Sequence, residues 1–483
     1  MNAVYQISGG KVIEGIHELP VASESDVVVA GGGPAGFAAA VSAARAGANV
    51  TLVESQAFLG GVATSVMMAA LVGAKYADGI SGELIGKMSE KGGSPDLAAP
   101  RVYDSIPFDP ETFKEAALEM VCEAGVNLML YTMATNPIVV DGKIKGIVVE
   151  NKSGRSAVLA ERVIDCTGDA DLAYSAGAPV AFGRESDHKM RPFSLLFRLG
   201  GVDVKKILRY VENDPDELQP QFRNGIRFRI NSGEEVIQRL SGFYKLVEKA
   251  KAKGELYPEC HYFRIESIWI NRGTVICNTS RFYYVDGTNA SDLTKGEIEC
   301  RKQIKKLFAF AKKYVPGFEN AFVIDVAPRL GIRETRRIIG EYTLTNGDAY
   351  NDARFDDAFM TVSGTLVKGS LPAALDVHMP EPIEGSEKDL LERYPERVPR
   401  EDHTYQIPYR VLLTRDVDNL LVAGRTIAVS HMIDEFTRLM IPCMRFGQVA
   451  GAAAALSVRN AVSPKNLDFK FLKEELIRQG LTL

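Results

Sequence analysis

Three glycines stand at Gly31-x-Gly33-x-x-Gly36, directly behind the apolar run DVVVA at 26–30. At this spacing Gly31 permits a tight turn, Gly33 lets the backbone approach a pyrophosphate, and Gly36 lets the following helix pack on the strand. The helix N-terminus then points at phosphate charge. Glu54 closes the next apolar run, NVTLVE, where a carboxylate accepts ribose hydroxyls and disfavours a ribose phosphate. The tripeptide Gly33-Pro34-Ala35, the position near the N-terminus and the doublet Gly60-Gly61 after Glu54 and Ser55 favour FAD over NAD. The second glycine pair would let the chain pass close to the ribityl or ring portion of an extended flavin.

Other chemistry-bearing residues are sparse. The six histidines, His17, His188, His261, His378, His403 and His431, show no ligand spacing, and the six cysteines contain no CxxC. Neither a metal site nor a redox-active disulfide is expected. His431 stands apart because it follows the apolar strand that ends at Gly424. With Arg438 it could position an anionic or carbonyl-bearing substrate and take part in proton transfer. The plainer alternatives, a satisfied loop histidine and a structural ion pair for Arg438, stay open. In RETRR, the residues Arg333, Arg336 and Arg337 cluster near Glu334 and Glu341, and internal salt bridges are expected for most of them.

The elements that must hold these residues are an opening strand, glycine turn, helix and second strand, the start of a parallel βαβ unit. A further helix is expected over Asp109–Ala124, with Asp109 as cap, Pro110 at its first position and Gly125 as its stop. The runs NLMLYTM, IVVDGKIKGIVV and AVLAERVIDCTG, with turn signals at Asp141-Gly142 and Ser153-Gly154, read as an antiparallel meander. From about residue 186 the texture changes to mixed, aromatic-bearing segments. There Ile304, Leu307, Phe308, Ala311 and Tyr314 form a helical core stripe, while Arg301, Lys302, Lys305 and Lys306 form a solvated face. The stretch 376–404 reads as a loop-rich excursion. NLLVAGR and PCMRFGQVAGAAAALSV then form a last strand and a helix beginning near Pro442, with Gly447 and Gly451 suited to helix packing.

With 483 residues, the chain is long enough for two or three domains. Apolar residues make up 46% and charged residues 25%, and the net charge is −5. This is the composition of a globular protein, and it disfavours a nucleic-acid binder that lives on counterion release. No secretory signal and no uninterrupted membrane-length apolar run is visible, so a cytoplasmic location is expected.

These blocks together resemble the FAD-dependent oxidoreductases whose flavin domain is of the glutathione-reductase type, in the branch related to fumarate-reductase-like flavoproteins. VVVAGGGPAGFAAAVSAARAGANVTLVE is similar to the family's dinucleotide fingerprint, and FLGGVAT to its flavin-contacting turn, placing Gly60, Gly61, Val62 and Ala63 beside the cofactor. VIDCTGDADLAYSAGA is similar to the second FAD motif, with Thr167, Gly168 and Asp169 ending a strand and Asp169 reaching a ribityl hydroxyl. RLGIRETRRIIGEYTLT resembles a block of the substrate domain. NLLVAGRTIAVSH and RLMIPCMRFGQVAGAAAAL resemble the C-terminal block, which would set Gly424, Arg425, Met444 and Gly447 around the flavin. Helix amides near Pro442 would face the electron-rich ring.

The resemblance implies an α/β architecture. A Rossmann-like FAD-binding domain at 25–185 and 405–465 is interrupted by an α+β substrate or cap domain at 186–404, with terminal segments 1–24 and 466–483. The implied activity is hydride transfer between a carbon of a small organic substrate and flavin N5. FAD is expected to be non-covalent, because Val62-Ala63-Thr64-Ser65 after the glycine doublet holds no histidine to tether it. No second GxGxxG follows another strand, so electrons should come from the substrate or pass to oxygen, a quinone or an electron-transfer protein. Self-association is left open. Alternatives are a fumarate-reductase-like C=C reductase, a tRNA-modifying flavoprotein, and a non-catalytic binding protein on the same fold.

Overall fold

The apolar run at 26–30 ends the strand Val21–Ala30, and Val27 to Ala30 are fully buried. A computed structural model describes residues 5–15, 18–99, 104–219, 227–363 and 404–483, so nearly all of the expected 376–404 excursion lies outside the described residues. Val21–Ala30 pairs in parallel with Val50–Val53 on one side and with Gly154–Asp165 on the other. The long strand Gly154–Asp165 changes partner along its length. Its first half pairs antiparallel with Lys143–Asn151, and its last three residues pair in parallel with Leu420–Val422. Asp165 is level with both Ala30 and Val422. Gly31, Gly168 and Gly424, with φ of 97°, 85° and 102°, therefore leave three adjacent strands at one carboxyl edge, where open α/β sheets bind their ligands.

The meander differs from expectation at its start. NLMLYTM divides into Asn127–Met129, a parallel edge strand beside Val50–Val53, and the beginning of Met133–Val140. Tyr131, at φ 53°, turns the chain between them. Met133–Val140, Lys143–Asn151 and Gly154–Asp165 then form the antiparallel meander, with Asp141 and Gly142 both at positive φ in the first turn, as a twist-matched hairpin turn requires. The helix Pro110–Glu123 has the expected cap, Asp109 accepting from the Glu111 amide at 3.0 Å.

Two helices close over the parallel strands, Pro34–Arg45 and Met440–Arg459. The second begins two residues before the expected Pro442. A Cβ on Gly447 would sit 2.0 Å from the Ala35 carbonyl oxygen, and one on Gly451 would sit 2.2 Å from that of Ala39. The two helices thus touch backbone to backbone. Because Ala35 meets Gly447 and Ala39 meets Gly451, they run in the same direction. Met440–Arg459 has the length and hydropathy of a membrane span, but 94% of its most apolar window is buried, so its apolar surface serves the core.

Side chains gather into two main cores. The first joins the parallel strands and these helices, and the second fills an antiparallel sheet. That sheet runs in the order Arg227–Arg229, Glu235–Ile237, Phe263–Trp269, Thr274–Cys277, Phe197–Gly200, Phe322–Val326. Helix Ala290–Tyr314 covers it through Cys300, Ile304, Leu307, Phe310 and Ala311. Phe308 and Tyr314, expected in that stripe, are only partly buried, and Arg301 and Lys302 pair with Glu297 and Glu299 on the outer face.

The chain regains the first core before the expected position near 405. Ile338, Leu344, Phe359 and Met360 already belong to it, because Arg336–Ile338 pairs with Val180–Phe182 and Ala358–Ser363 pairs with Thr404–Pro408. Val62 and Met68 pack against both cores.

The helix contact generates a prediction about stability. Gly451→Ala places a methyl against the Ala39 carbonyl and forces the helices apart, so chemical denaturation should show a loss of about 1–3 kcal/mol, the usual cost of overpacking. An unchanged denaturation midpoint would mean that the helices are not in backbone contact.

Candidate active site

The glycine turn is held from behind by Glu54. Its Oε2 accepts from the Gly32 amide at 2.6 Å, and its Oε1 accepts from the Gln56 amide at 2.7 Å and Ser55 Oγ at 3.0 Å. A carboxylate offers about four acceptor positions, so one remains for a ribose hydroxyl. In front of the turn there is room. Among the described residues a Cβ on Gly33 would meet only Gly61 Cα at 3.9 Å, whereas one on Gly31 or Gly36 would strike backbone oxygen. The helix that starts at Pro34 has no side-chain cap, so its first amides face that space. Ala35, in its first turn, is the residue against which Gly447 packs. The doublet lies alongside, the Gly60 amide donating to the Gly32 carbonyl at 2.8 Å and Gly61 packing on Gly33. An uncapped helix end behind a glycine that faces open space fits a pyrophosphate.

The next two turns are built from local polar contacts. Buried Asp165 accepts from the amide and hydroxyl of Thr167 at 3.0 and 2.7 Å, and from the Ala173 amide at 2.9 Å. Burial pushes its carboxyl up despite these donors. Asp169, expected to reach a ribityl hydroxyl, accepts at its Oδ1 from Arg425 Nη2 at 2.7 Å and Thr335 Oγ1 at 2.9 Å. Arg425 also donates to the carbonyls of Gly168 and Ile332. It therefore ties the second turn to the 332–335 segment. Ala63 is buried beside the doublet, and of the C-terminal block Gly424 approaches Ala35. Met444 and Gly447, expected beside the flavin, have other duties. Met444 is sealed in the first core, and Gly447 makes the helix contact.

His431 and Arg438 were expected in a loop. The segment is a helix, His431–Thr437, with Arg438 as its C-cap. The His431 ring is buried, with Nδ1 2.7 Å from Glu334 Oε1, and its Nε2 has no hydrogen-bond partner among the described residues. Its backbone amide donates to Glu185 Oε1 at 2.7 Å. Arg191, 0% exposed, lies 2.7 Å from Asp434 Oδ2 and 3.1 Å from Glu334 Oε2, and donates to the His431 carbonyl at 2.6 Å. Arg337 pairs with Glu334 and Glu185. Burial pushes the Glu334 carboxyl up, but Arg191, His431 and Arg337 outweigh it and hold it well below the usual carboxylate range. Burial, reinforced by Arg191, lowers His431 against the pull of Glu334. Arg438 is also lowered, by burial and then by Arg191.

Most of this cluster escaped sequence reasoning. Glu334 was visible only as one charge in RETRR, and Arg191 and Asp434 lie in no periodic pattern. Glu185, rather than Glu341, completes the group. The other two RETRR arginines have internal partners. Arg333 donates to Ser194 Oγ at 2.9 Å, and Arg336 pairs with Asp171 at 2.8 Å. On the second sheet Arg264, Glu266 and Asn278 are buried polar residues, and Asn278 Nδ2 lies 3.7 Å from the Sδ of Met68, whose amide donates to the Val62 carbonyl.

Among comparisons with known proteins, one family model covers most of the chain. The FAD dependent oxidoreductase family model matches residues 26–476. A digeranylgeranylglycerophospholipid reductase of Methanoculleus marisnigri is 30% identical over 173 residues, a match spanning 32% of this chain and only 41% of that protein. Among solved structures, a geranylgeranyl bacteriochlorophyll reductase-like protein from Thermoplasma acidophilum aligns over 95% of this chain and 84% of its own, at 13% identity and a TM-score of 0.44. A triple mutant of a flavin-dependent brominase aligns over 94% and 84%, at 14% identity and a TM-score of 0.46. With the family match running from residue 26 to residue 476 across all three glycine turns, the chain belongs to the FAD-dependent oxidoreductase family, and FAD is its cofactor.

Proposed function

We propose that this enzyme transfers a hydride between a carbon of a small organic substrate and non-covalently held FAD, with His431 moving the accompanying proton. The observation that carries the reading is the buried His431 ring, one nitrogen engaged by Glu334 and the other without a partner among the described residues. FAD bound at the glycine turns supplies the hydride chemistry. The protein supplies everything around it. Gly31, Gly33, Pro34, Ala35 and Gly36 receive the pyrophosphate, Glu54 the ribose, and the segment Gly60 to Ala63 the flavin end. Arg425 locks the Thr167–Asp169 turn to the 332–335 segment, so the flavin side and the His431 cluster keep a fixed relation. Arg438, a cation at the end of the His431 helix, would hold an anionic or carbonyl-bearing substrate.

Of the buried polar residues by the second sheet, Asn278 reaches Met68 in the segment that follows Val62, and with Arg264 and Glu266 near it it favours a small polar substrate. With one dinucleotide fingerprint in the sequence, the electron partner would be oxygen, a quinone or an electron-transfer protein, and the setting the cytoplasm. C=C reduction is a second reading, favoured by the partial match to a reductase. The two separate cleanly in an anaerobic experiment. An alcohol or amine bleaches the oxidised flavin in the first case, and an enoate oxidises the reduced flavin in the second.

Two predictions test the reading. Gly33→Val fills the open space before the helix, where only Gly61 Cα lies within 4 Å. The variant should fold, melting like the parent stripped of its flavin, and purify without the flavin absorbance bands, while full flavin occupancy would show that the turn is misassigned. Once a bleaching substrate is in hand, His431→Ala and Arg438→Ala should each slow anaerobic flavin reduction at least tenfold, about 1.4 kcal/mol of barrier, with FAD still bound. Stopped-flow traces matching the parent enzyme in both would exclude a proton-transfer or substrate-holding role.

A further inference from the structure

The surroundings of the His431 ring are asymmetric, and the asymmetry decides where its proton sits. On the Nδ1 side is Glu334, whose Oε1 also pairs with Arg337 and whose Oε2 pairs with Arg191 at 3.1 Å. A carboxylate between two guanidiniums accepts and does not donate, so Nδ1 must carry the hydrogen of its 2.7 Å contact. On the other side, Nε2 is buried and has no hydrogen-bond partner among the described residues.

A second ring proton there would leave a charged N–H unmatched in the interior. It would also add a cation beside Arg191 and Arg337. The carboxylates facing the same region from the ring's own helix do not reverse this. Asp434 Oδ2 already sits 2.7 Å from Arg191, and Glu435 lies 3.8 Å from the same guanidinium. Glu185 is taken up by the His431 backbone amide and Arg337. A bare lone pair is the state that leaves the least unsatisfied.

We infer that Glu334 is a positioning residue that holds His431 as the neutral Nδ1–H tautomer and thereby makes Nε2 a buried proton acceptor. The inference deepens the proton-transfer role given to His431 above and rests on it for its consequence. An acceptor needs a substrate that brings its own proton, which selects an alcohol or an amine over an enoate. In that reaction the O–H or N–H proton passes to Nε2, and the hydrogen on the adjoining carbon leaves with its electron pair for the oxidised flavin. The carbon is left doubly bonded to oxygen or nitrogen, so protons and electrons balance. Arg191 assists by holding both partners, through the Glu334 carboxylate and the His431 carbonyl.

The tautomer can be read without a substrate. In holoenzyme labelled with 15N-histidine, two-bond correlations within the ring identify each nitrogen as protonated or bare, and the signals lost in His431→Gln assign the residue. His431 should show a protonated Nδ1 and a bare Nε2 throughout about pH 8 to about pH 6, the range in which an unperturbed imidazole becomes charged. An Nε2–H tautomer, or a doubly protonated ring at about pH 8, would overturn the inference. In Glu334→Gln the amide has one acceptor atom for three donors, so a second His431 signal with protonated Nε2 should appear. A folded, flavin-loaded Glu334→Gln protein that keeps the single Nδ1–H signal would remove Glu334 from this role. Because the spectra need no turnover, a negative result leaves the hydride-transfer reading standing, and that reading is judged separately by which compounds bleach the flavin.

Discussion

Backbone contact without intervening side chains is the constraint from which the rest of the structure follows. A Cβ on Gly36 would lie 1.7 Å from the Gly31 carbonyl oxygen, and one on Gly31 would lie 2.4 Å from that of Cys166. Gly447 and Gly451 extend the same closeness to the second helix. Interiors are packed to crystal density and do not absorb even one added methyl without a shift. Glycine at these positions therefore sets the spacing between the strand edge and both helices. That spacing brings Gly31, Gly168 and Gly424 to one edge, and it leaves Gly33 facing open space rather than protein.

What was legible in the sequence was local. The fingerprint turn, Glu54, the Asp109 cap and the Asp141-Gly142 turn each depend on residues close in the chain, so composition and spacing were enough to find them. The family resemblance extended this to the Thr167–Asp169 and Gly424 turns. What escaped depends on residues far apart in sequence. Arg191 meets Asp434 243 residues later, and His431 meets Glu334 97 residues earlier. No periodicity connects such positions. Phe310 was passed over for Phe308 because both sit near the apolar stripe of one helix, and only the sheet beneath it decides which faces inward. Asp169 was read for the ligand it resembles a partner to, whereas Arg425 and Thr335 engage one of its oxygens.

The charged cluster also explains how two cores act as one frame. Its members come from the segment around Glu185 and Arg191, from Glu334 and Arg337, and from the helix after Ser430. Removing one partner from a buried pair leaves an uncompensated charge and is strongly destabilising. Every member is thus held in place by the others. Precise placement of His431 is a by-product of that mutual dependence, since the groups that orient its ring are the same ones that join the chain segments.

The pairing of Pro34–Arg45 with Met440–Arg459 has a consequence for how the molecule is made. Ser42 Oγ donates to the Gln448 carbonyl, a bond between residues 406 positions apart, and Leu420–Val422 completes the parallel edge just as late. During synthesis, which proceeds from the N-terminus, the fingerprint strand and helix wait without their closing partner until the chain 406 positions further on has left the ribosome. Contacts of such long range are slow to form, and an apolar face exposed in the interval invites association with other chains. Closure of the fingerprint helix against its partner accordingly trails its synthesis by that separation. The segment that reads most clearly as a cofactor site is made well before the helix that completes it.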